Sequence, residues 1–330
     1  MAHSGSNSNF FDRVQYITEK ILTYRKRKRR IKKEKRAGKN QALDWIEAFL
    51  WAAGMVLLIN QYLMQAYSIP SGSMINTLNI GDHVFVNKII YGPEILPGLF
   101  KLPSPFNPKR NDIIIFENPT YISRGPAFDI TQRIIYMLTL SLVDIDRDEK
   151  GDPRVHFLIK RAAGWAGDHF FADNGEMMIR FAGEDRIISE REYNALQGWD
   201  HNLSRLIKQE QYAAINAWGK AEAWVSRGLM ITEALTEKAS SLQNSYLDSI
   251  VKERAYYETL RKINPNDRRY TEQLTRNKMG WYIPEGRIFP LGDNRDNSKD
   301  GRFFGPVKIS KVLGKGMIVY WPLRRMKVIR

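Results

Sequence analysis

The sequence contains no cysteine, which excludes disulfides and thiolate metal sites and leaves the redox compartment open. No His/Asp/Glu group has metal-ligand spacing, and no cofactor is expected. A glycine-rich phosphate loop of the usual form is missing, as is any DNA-reading motif or short internal repeat. Long apolar runs are also lacking. Ala48–Ile59 is twelve residues without a break, short of the roughly 18 that mark a membrane span outright. Acidic residues are outnumbered, 36 against 51 Lys and Arg, for a net +15, but the excess is local. Eleven Lys or Arg and only Glu34 lie between Arg25 and Lys39, a local +10. That asymmetry argues against a globally basic nucleic-acid binder, and no nucleic-acid partner is expected.

What is present falls into five stretches. Residues 1–43 form a basic arm, expected to be disordered or loosely helical. Residues 44–67 suit a membrane anchor. A helix from Trp45 to Tyr67 would be ~34 Å long, enough for a ~30 Å hydrocarbon core, although Asn60, Gln61 and Gln65 dilute its end. The basic flank then places the N-terminus in the cytoplasm and everything after Tyr67 outside. A buried core helix and a cleaved signal peptide ending at Ala66-Tyr67-Ser68 are the other readings. The basic arm is far longer than a usual signal-peptide n-region.

From Ser68 the pattern turns to short β-branched and aromatic runs bounded by Gly, Pro or Asn: Val84–Val86, Ile113–Phe116, Val155–Ile159, Arg287–Phe289 and Met317–Trp321. They predict an antiparallel β domain in two parts, 68–202 and 265–330. Between them, 203–264 reads as a helical hairpin. One stripe is Leu203, Ile207, Ala214, Ala217, Ala221 and Val225; the other is Leu235, Ala239, Leu242, Tyr246, Ile250, Tyr257 and Leu260. Asn264-Pro265-Asn266 is expected to close it. It carries no chemistry-bearing motif and is expected to be dispensable for reaction. Ile130–Val143 is too short to span a bilayer, and is either a packed helix or strand or an element lying in the lipid surface.

Three motifs carry chemistry. Ser68-Ile69-Pro70-Ser71-Gly72-Ser73-Met74 sets Ser73 just after the anchor, and a serine hydroxyl needs activation to act as a nucleophile. Ile159-Lys160-Arg161 ends an apolar run, so burial can neutralise the lysine into a base; the alternative is a solvated strand end. The third motif is Gly292-Asp293-Asn294-Arg295-Asp296-Asn297-Ser298-Lys299-Asp300-Gly301-Arg302. A Ser-His-Asp triad built on Asp82-His83 or Asp168-His169 is disfavoured, because neighbouring strand residues point to opposite faces.

In this order and after an anchor, the motifs resemble those of bacterial type I signal peptidases. The resemblance covers the anchor, Ile69–Lys88, Arg110–Phe116, Ile159–Asp168 and Phe289–Val307. It implies a mainly β catalytic domain and a membrane-bound serine endopeptidase of the bacterial inner membrane. Such an enzyme removes signal peptides from exported preproteins with a Ser/Lys dyad. Its partners would be those preproteins and the lipid bilayer. Carried over, Ser73 is the nucleophile and Lys160 the general base. Ser71 Oγ and the Ser73 N–H form the oxyanion hole, and Ser298 orients the lysine. Asp293, Asp300 and Arg302 are structural residues near the site. Ile69, Pro70, Met74, Leu78, Leu158 and Ile159 line shallow pockets for small side chains at the first and third positions before the cut.

Four positions depart from the pattern: Asn76 for proline, Asn111 for glycine, Ala166 for proline and Gly301 for serine. They put local turn geometry in doubt and remove no proposed catalytic group. Two other classes fit less well. One is a noncatalytic membrane-tethered binding protein, against which the intact Ser73, Lys160 and Ser298 set argues. The other is a self-cleaving repressor, against which the anchor argues.

Overall fold

The computed structural model describes residues 6–37, 41–96, 100–104, 106–149, 151, 154–199, 203–242 and 248–329. The chain divides into two units, one up to Met55 and one from Val56 onward. The first unit holds α1 (Ser6–Ala37) and most of α2 (Gln41–Leu58). The basic arm is thus regular helix where described, and its side chains from Arg13 to Ile31 are exposed. Among the described residues one helical stretch, Ala42–Leu63, is long and apolar enough to cross a membrane by length and composition, and none of its apolar window is buried.

The helix ends earlier than the expected Tyr67. A π-helical turn, Ile59–Leu63, leads directly into strand β1 (Met64–Ser68). The polar residues that dilute the apolar run supply the reason. Asn60 Nδ2 donates to the Val56 carbonyl at 2.9 Å, Gln61 Nε2 donates to the Glu94 carbonyl at 2.7 Å, and Gln65 Oε1 accepts from Lys88 Nζ at 3.0 Å. These side chains are buried with their partners, so the chain leaves the helix where it joins the β domain.

The remaining strands are β2 (His83–Asn87), β3 (Glu94–Leu96), β4 (Phe100–Lys101), β5 (Ile113–Glu117), β6 (Phe157–Gly164), β7 (His169–Asp173), β8 (Glu176–Arg180), β9 (Ile187–Ser189), β10 (Trp281–Tyr282), β11 (Arg287–Leu291), β12 (Val307–Lys308), β13 (Val312–Trp321) and β14 (Lys327–Val328). The helices after the anchor are α3 (Pro126–Leu138), α4 (Glu190–Leu196), α5 (Tyr212–Val225), α6 (Glu233–Ser240), α7 (Ser249–Ile263), α8 (Arg268–Met279) and α9 (Gly301–Phe304). An eight-stranded sheet runs β1-β2-β13-β5-β6-β11-β12, with β14 on β13. A four-stranded sheet runs β10-β7-β8-β9, and β3 pairs β4. All strand pairings are antiparallel, as expected.

The unbroken apolar run on β5 follows from its central place in the large sheet. Ile113 and Ile115 pack with Tyr67, Ile69, Met74 and Leu78 on one face, while Ile114 and Phe116 pack with Tyr91, Ala162 and Ile288 on the other. Val155 lies before β6 and is exposed. Ile130–Val143 is helical as far as Leu138, in α3, with Gln132 and Met137 turned inward and Ile130, Ile134 and Leu138 exposed; Leu140, Leu142 and Val143 follow the helix and are exposed as well.

The insertion is larger than a hairpin. Ala214, Ala217 and Ala221 are buried on α5, but Leu203 and Ile207 precede the helix and Val225 is exposed. The second stripe is broken into α6 and α7, with Val251, Ala255 and Leu260 buried on α7; Tyr246 lies outside the described residues. Asn264-Pro265-Asn266 is a turn rather than a close. Asp267 caps a fourth helix, α8, which buries Tyr270 and Leu274 and ends at Gly280.

Candidate active site

β6 delivers Lys160 inward, 3% exposed, and its Nζ donates to Ser73 Oγ at 2.6 Å. A second bond from Nζ goes to the Ile159 carbonyl at 2.9 Å. Burial lowers the Lys160 ammonium from the ordinary 10.5 to about 8, against the pull of the Asp300 and Asp293 charges. Ser73 sits in a 3₁₀ turn, Gly72–Met74, and is itself buried. Ser71 is exposed, with Oγ 3.4 Å from Ser73 Oγ.

The segment 292–302 folds beneath this turn. Asn294 N donates to the Ser73 carbonyl at 3.0 Å and Asn294 Nδ2 to the Gly72 carbonyl at 3.0 Å, so the loop grips the serine by its backbone. Gly292 has no room for a side chain: a Cβ there would collide with the Ser298 side chain and the Ser73 carbonyl. Asp293 takes both arms of Arg161, Nε at 2.8 Å and Nη2 at 2.6 Å. Burial would raise the Asp293 carboxyl, but Arg161 outweighs it and holds it below the ordinary value. Asp300 is likewise held down against burial by Arg302, whose Nε donates to Oδ1 at 2.9 Å, while Asp300 Oδ2 accepts from Gly292 N at 3.0 Å. Asp293, Asp300 and Arg302 are therefore brought under the serine. Ser298 is buried close by, and its Oγ makes no hydrogen bond among the described residues.

A cavity of about 220 Å³ opens from Ser73 and Lys160 and is lined by Ile69, Pro70, Met74, Leu158 and Ile159 among others. Leu78, expected with them, is not a lining residue. It is fully buried among Met74, Val84 and Ile113, because the turn at Asn76 rolls it into the core. One backbone edge flanks the cleft: among the described residues β6 pairs only with β5 from Phe157 to Lys160, since β11 joins it at Arg161 and beyond. The outer edge of β1 is occupied, Ala66 N donating to Asn60 Oδ1 at 3.4 Å and Ser68 N to the Tyr136 hydroxyl at 3.3 Å.

The departures resolve individually. Asn111 has φ 76°, a conformation open to asparagine as well as glycine, and its carbonyl and side-chain oxygen accept from Arg161 Nη1. Asn76 has φ 82°, which proline cannot adopt, so this turn follows a different path. At Gly301 a Cβ would press on the Pro290 carbonyl and the Phe289 ring, so the serine of the pattern has no room. Nothing in the structure explains Ala166. The histidines of the rejected triads lie elsewhere: His83 Nδ1 meets Ser141 Oγ at 3.2 Å, and His169 is bound to Arg180 on the four-stranded sheet.

Several contributors have no signal in the motifs. Asp296 Oδ2 accepts from the N–H groups of Leu206 and Ile207 at 2.6 and 2.9 Å and from Arg205 Nε at 3.1 Å. Ser204 N donates to the Asp293 carbonyl at 2.9 Å. The root of the helical insertion is thus hydrogen-bonded to the loop that holds Ser73. Arg295 makes a buried two-armed pair with Glu190, at 3.2 and 2.6 Å. No group of three or more possible metal ligands occurs among the described residues.

Curated relatives share the same span. A protein named signal peptidase I from Haemophilus influenzae is 24% identical over 87% of this chain and 71% of its own length. Its namesake from Aquifex aeolicus is 25% identical over 81% and 79%. That from Pseudomonas aeruginosa is 26% identical over 86% and 75%. The family described as signal peptidase, peptidase S26, matches residues 42–321, which is most of the sequence. With this match and the named relatives, the chain belongs to the signal peptidase family of hydrolases, peptidase S26.

Proposed function

We propose that this peptidase is a membrane-bound endopeptidase that removes N-terminal signal peptides from exported preproteins, with Ser73 as nucleophile and Lys160 as general base. The observation that carries the reading is the 2.6 Å contact from Lys160 Nζ to Ser73 Oγ inside a buried pocket. A lysine lowered to about 8 is neutral often enough near neutral pH to take a proton.

An extended peptide lies along the open edge of β6 from Phe157 to Lys160, bound as an added strand. Small side chains before the cut fit against Ile69, Pro70, Met74, Leu158 and Ile159. Ser73 Oγ passes its proton to Lys160 and attacks the scissile carbonyl carbon. The oxyanion faces Ser71 Oγ–H and the Ser73 N–H. The C–N bond breaks as the Lys160 ammonium protonates the leaving amine. Water, deprotonated by Lys160, then releases the acyl group. The Ile159 carbonyl holds the lysine in the resting enzyme, and the orienting role that the resemblance gives Ser298 would require its Oγ, unbonded among the described residues, to turn to the lysine. Ala42–Leu63 is the anchor, and the basic helix before it keeps the N-terminus cytoplasmic.

Purified protein in detergent, given a preprotein, should produce a new N-terminus after a small residue. Ser73→Ala and Lys160→Ala should each abolish nearly all turnover, and the double variant should be little worse. Losses within one catalytic unit are non-additive and reach ~10⁶-fold in related serine chemistry. The reading fails if Lys160→Ala keeps more than about a tenth of the rate while His83→Ala or His169→Ala is dead.

A further inference from the structure

Three buried arginine–carboxylate pairs hold the loop beneath Ser73. Two of them, Arg161 with Asp293 and Arg302 with Asp300, join residues of the sequence motifs. The third reaches outside them. Glu190 is the first residue of α4, which follows β9 of the four-stranded sheet, and it lies outside every stretch of the resemblance. It is buried, its Oε1 accepting from Arg295 Nη2 at 2.6 Å and its Oε2 from Arg295 Nε at 3.2 Å. The remaining arm of Arg295, Nη1, donates to the Gly292 carbonyl. Gly292 is packed directly against the site: the space a Cβ would need is filled by the Ser298 side chain and the Ser73 carbonyl. Its N–H is already held by Asp300. One guanidinium therefore spans from α4 to the glycine on which the serine rests.

Stability is a poor account of this third pair. A buried ion pair loses in desolvation about what it gains in attraction, and apolar residues of similar volume hold a fold as well. Apolar residues cannot supply the fork, in which a carboxylate fixes two arms of a planar guanidinium and so aims the third at one carbonyl. The three pairs also balance one another's charge. Arg295 already lowers the Asp293 and Asp300 carboxyls by its charge. Without Glu190 it would be a buried cation competing with Arg161 and Arg302 for them. We propose that Glu190 is a positioning residue for the hydrolysis, aiming Arg295 at the Gly292 carbonyl and so fixing the surface against which Ser73 and Ser298 rest. The inference rests on the reading of Ser73 as nucleophile given above. Neither Glu190 nor Arg295 is among the described residues that line the cavity at Ser73, so the effect falls on turnover and not on substrate binding.

The test uses the full chain in detergent with a preprotein as substrate. Glu190→Gln should lower kcat by about tenfold and leave KM within about twofold of the parent, since a small displacement of a reacting group costs turnover. It should also unfold at a lower temperature, because it leaves a cation buried and unpaired. Adding Arg295→Met removes that cation. The double variant should regain the unfolding temperature and keep the low kcat, because the Gly292 carbonyl still lacks its donor. That split separates positioning from stability, and the double variant carries the test where Glu190→Gln alone does not fold. Parental kcat in folded Glu190→Gln overturns the proposal. So does a double variant that regains kcat together with its stability, or a loss that lies in KM alone. A parent protein that cleaves no preprotein overturns the signal-peptide reading and this proposal with it, and is told apart by the parent itself being inactive.

Discussion

Lys160 and Arg161 are neighbours on β6, almost equally buried, yet the two sides of the strand treat them oppositely. On one side the lysine meets a serine hydroxyl and a carbonyl, with no carboxylate in contact, and burial drives it toward the neutral amine. On the other, the arginine fork closes on Asp293 at 2.6 Å and on Asn111, and the pair stays charged. Burial alone thus does not decide ionisation; the partner does. Consecutive cations are thus turned to different surroundings, a hydroxyl and a carbonyl for the lysine and a carboxylate for the arginine.

That contrast breaks most visibly at the ion pair. Arg161→Met leaves Asp293 buried beside Thr77 without its countercharge. It should cost about 3–5 kcal/mol, read as a lower urea midpoint at an unchanged slope. Arg161→Met combined with Asp293→Leu should recover most of that loss. If Arg161→Met alone is neutral, the pair is not holding the loop under Ser73.

The opposite sign is expected one residue earlier. A lysine whose folded value falls from 10.5 to about 8 costs the fold roughly 3 kcal/mol at any pH below that lower value. The cost fades as pH rises through 8 toward 10.5, where the unfolded chain also loses the proton. Lys160→Met should therefore be more stable than the parent at pH 7, inactive, and close to the parent at pH 11. In the parent, the acidic limb of kcat/KM should rise with pH through about 8. A Lys160→Met protein less stable at pH 7 would mean that the lysine is not strained by its burial.

The smallest effect tests the insertion root. Asp296→Asn removes the charge facing Arg205 and, with the amide oxygen kept on the Leu206 and Ile207 N–H groups, sets amide hydrogens against the Arg205 guanidinium. About 1–2 kcal/mol should be lost, and kcat should fall by more than KM changes, because the loop positions Ser73 and not the substrate. The same contacts predict that replacing Ser204–Ile263 with a short linker harms activity. Unchanged kcat in Asp296→Asn would restore the insertion as a separable module.

What could be read in the sequence depended on how far apart the interacting residues lie. Ser71, Ser73 and Met74 form one turn, and Gly292 to Arg302 forms one loop, so their spacing carries their geometry. The β runs at Val84, Ile113 and Met317 were legible for the same local reason. Leu78 was misplaced because its orientation hangs on a left-handed turn at Asn76 that the pattern expects to be proline. The apolar helix is shorter than its sequence suggests because Gln61 and Gln65 dilute the run without revealing their partners Glu94 and Lys88, which lie elsewhere in the chain. The fourth insertion helix did have a local signal, Asp267 as cap with Tyr270 and Leu274 one turn apart, hidden behind the apparent stop at Pro265.

By itself the sequence determined the order of parts: a basic arm, an apolar stretch, a β domain with a helical interruption, and three short motifs. Each is written in neighbouring residues, through periodicity, turn chemistry or a run of charge. Only the tertiary structure decided which cation has its ionisation lowered by burial. Ionisation follows from what packs against a side chain across 87 residues, as at Ser73 and Lys160, or 132, as at Arg161 and Asp293. It alone decided that the insertion is tied to the serine loop, since a buried polar atom's surroundings are set by distant chain closing over it.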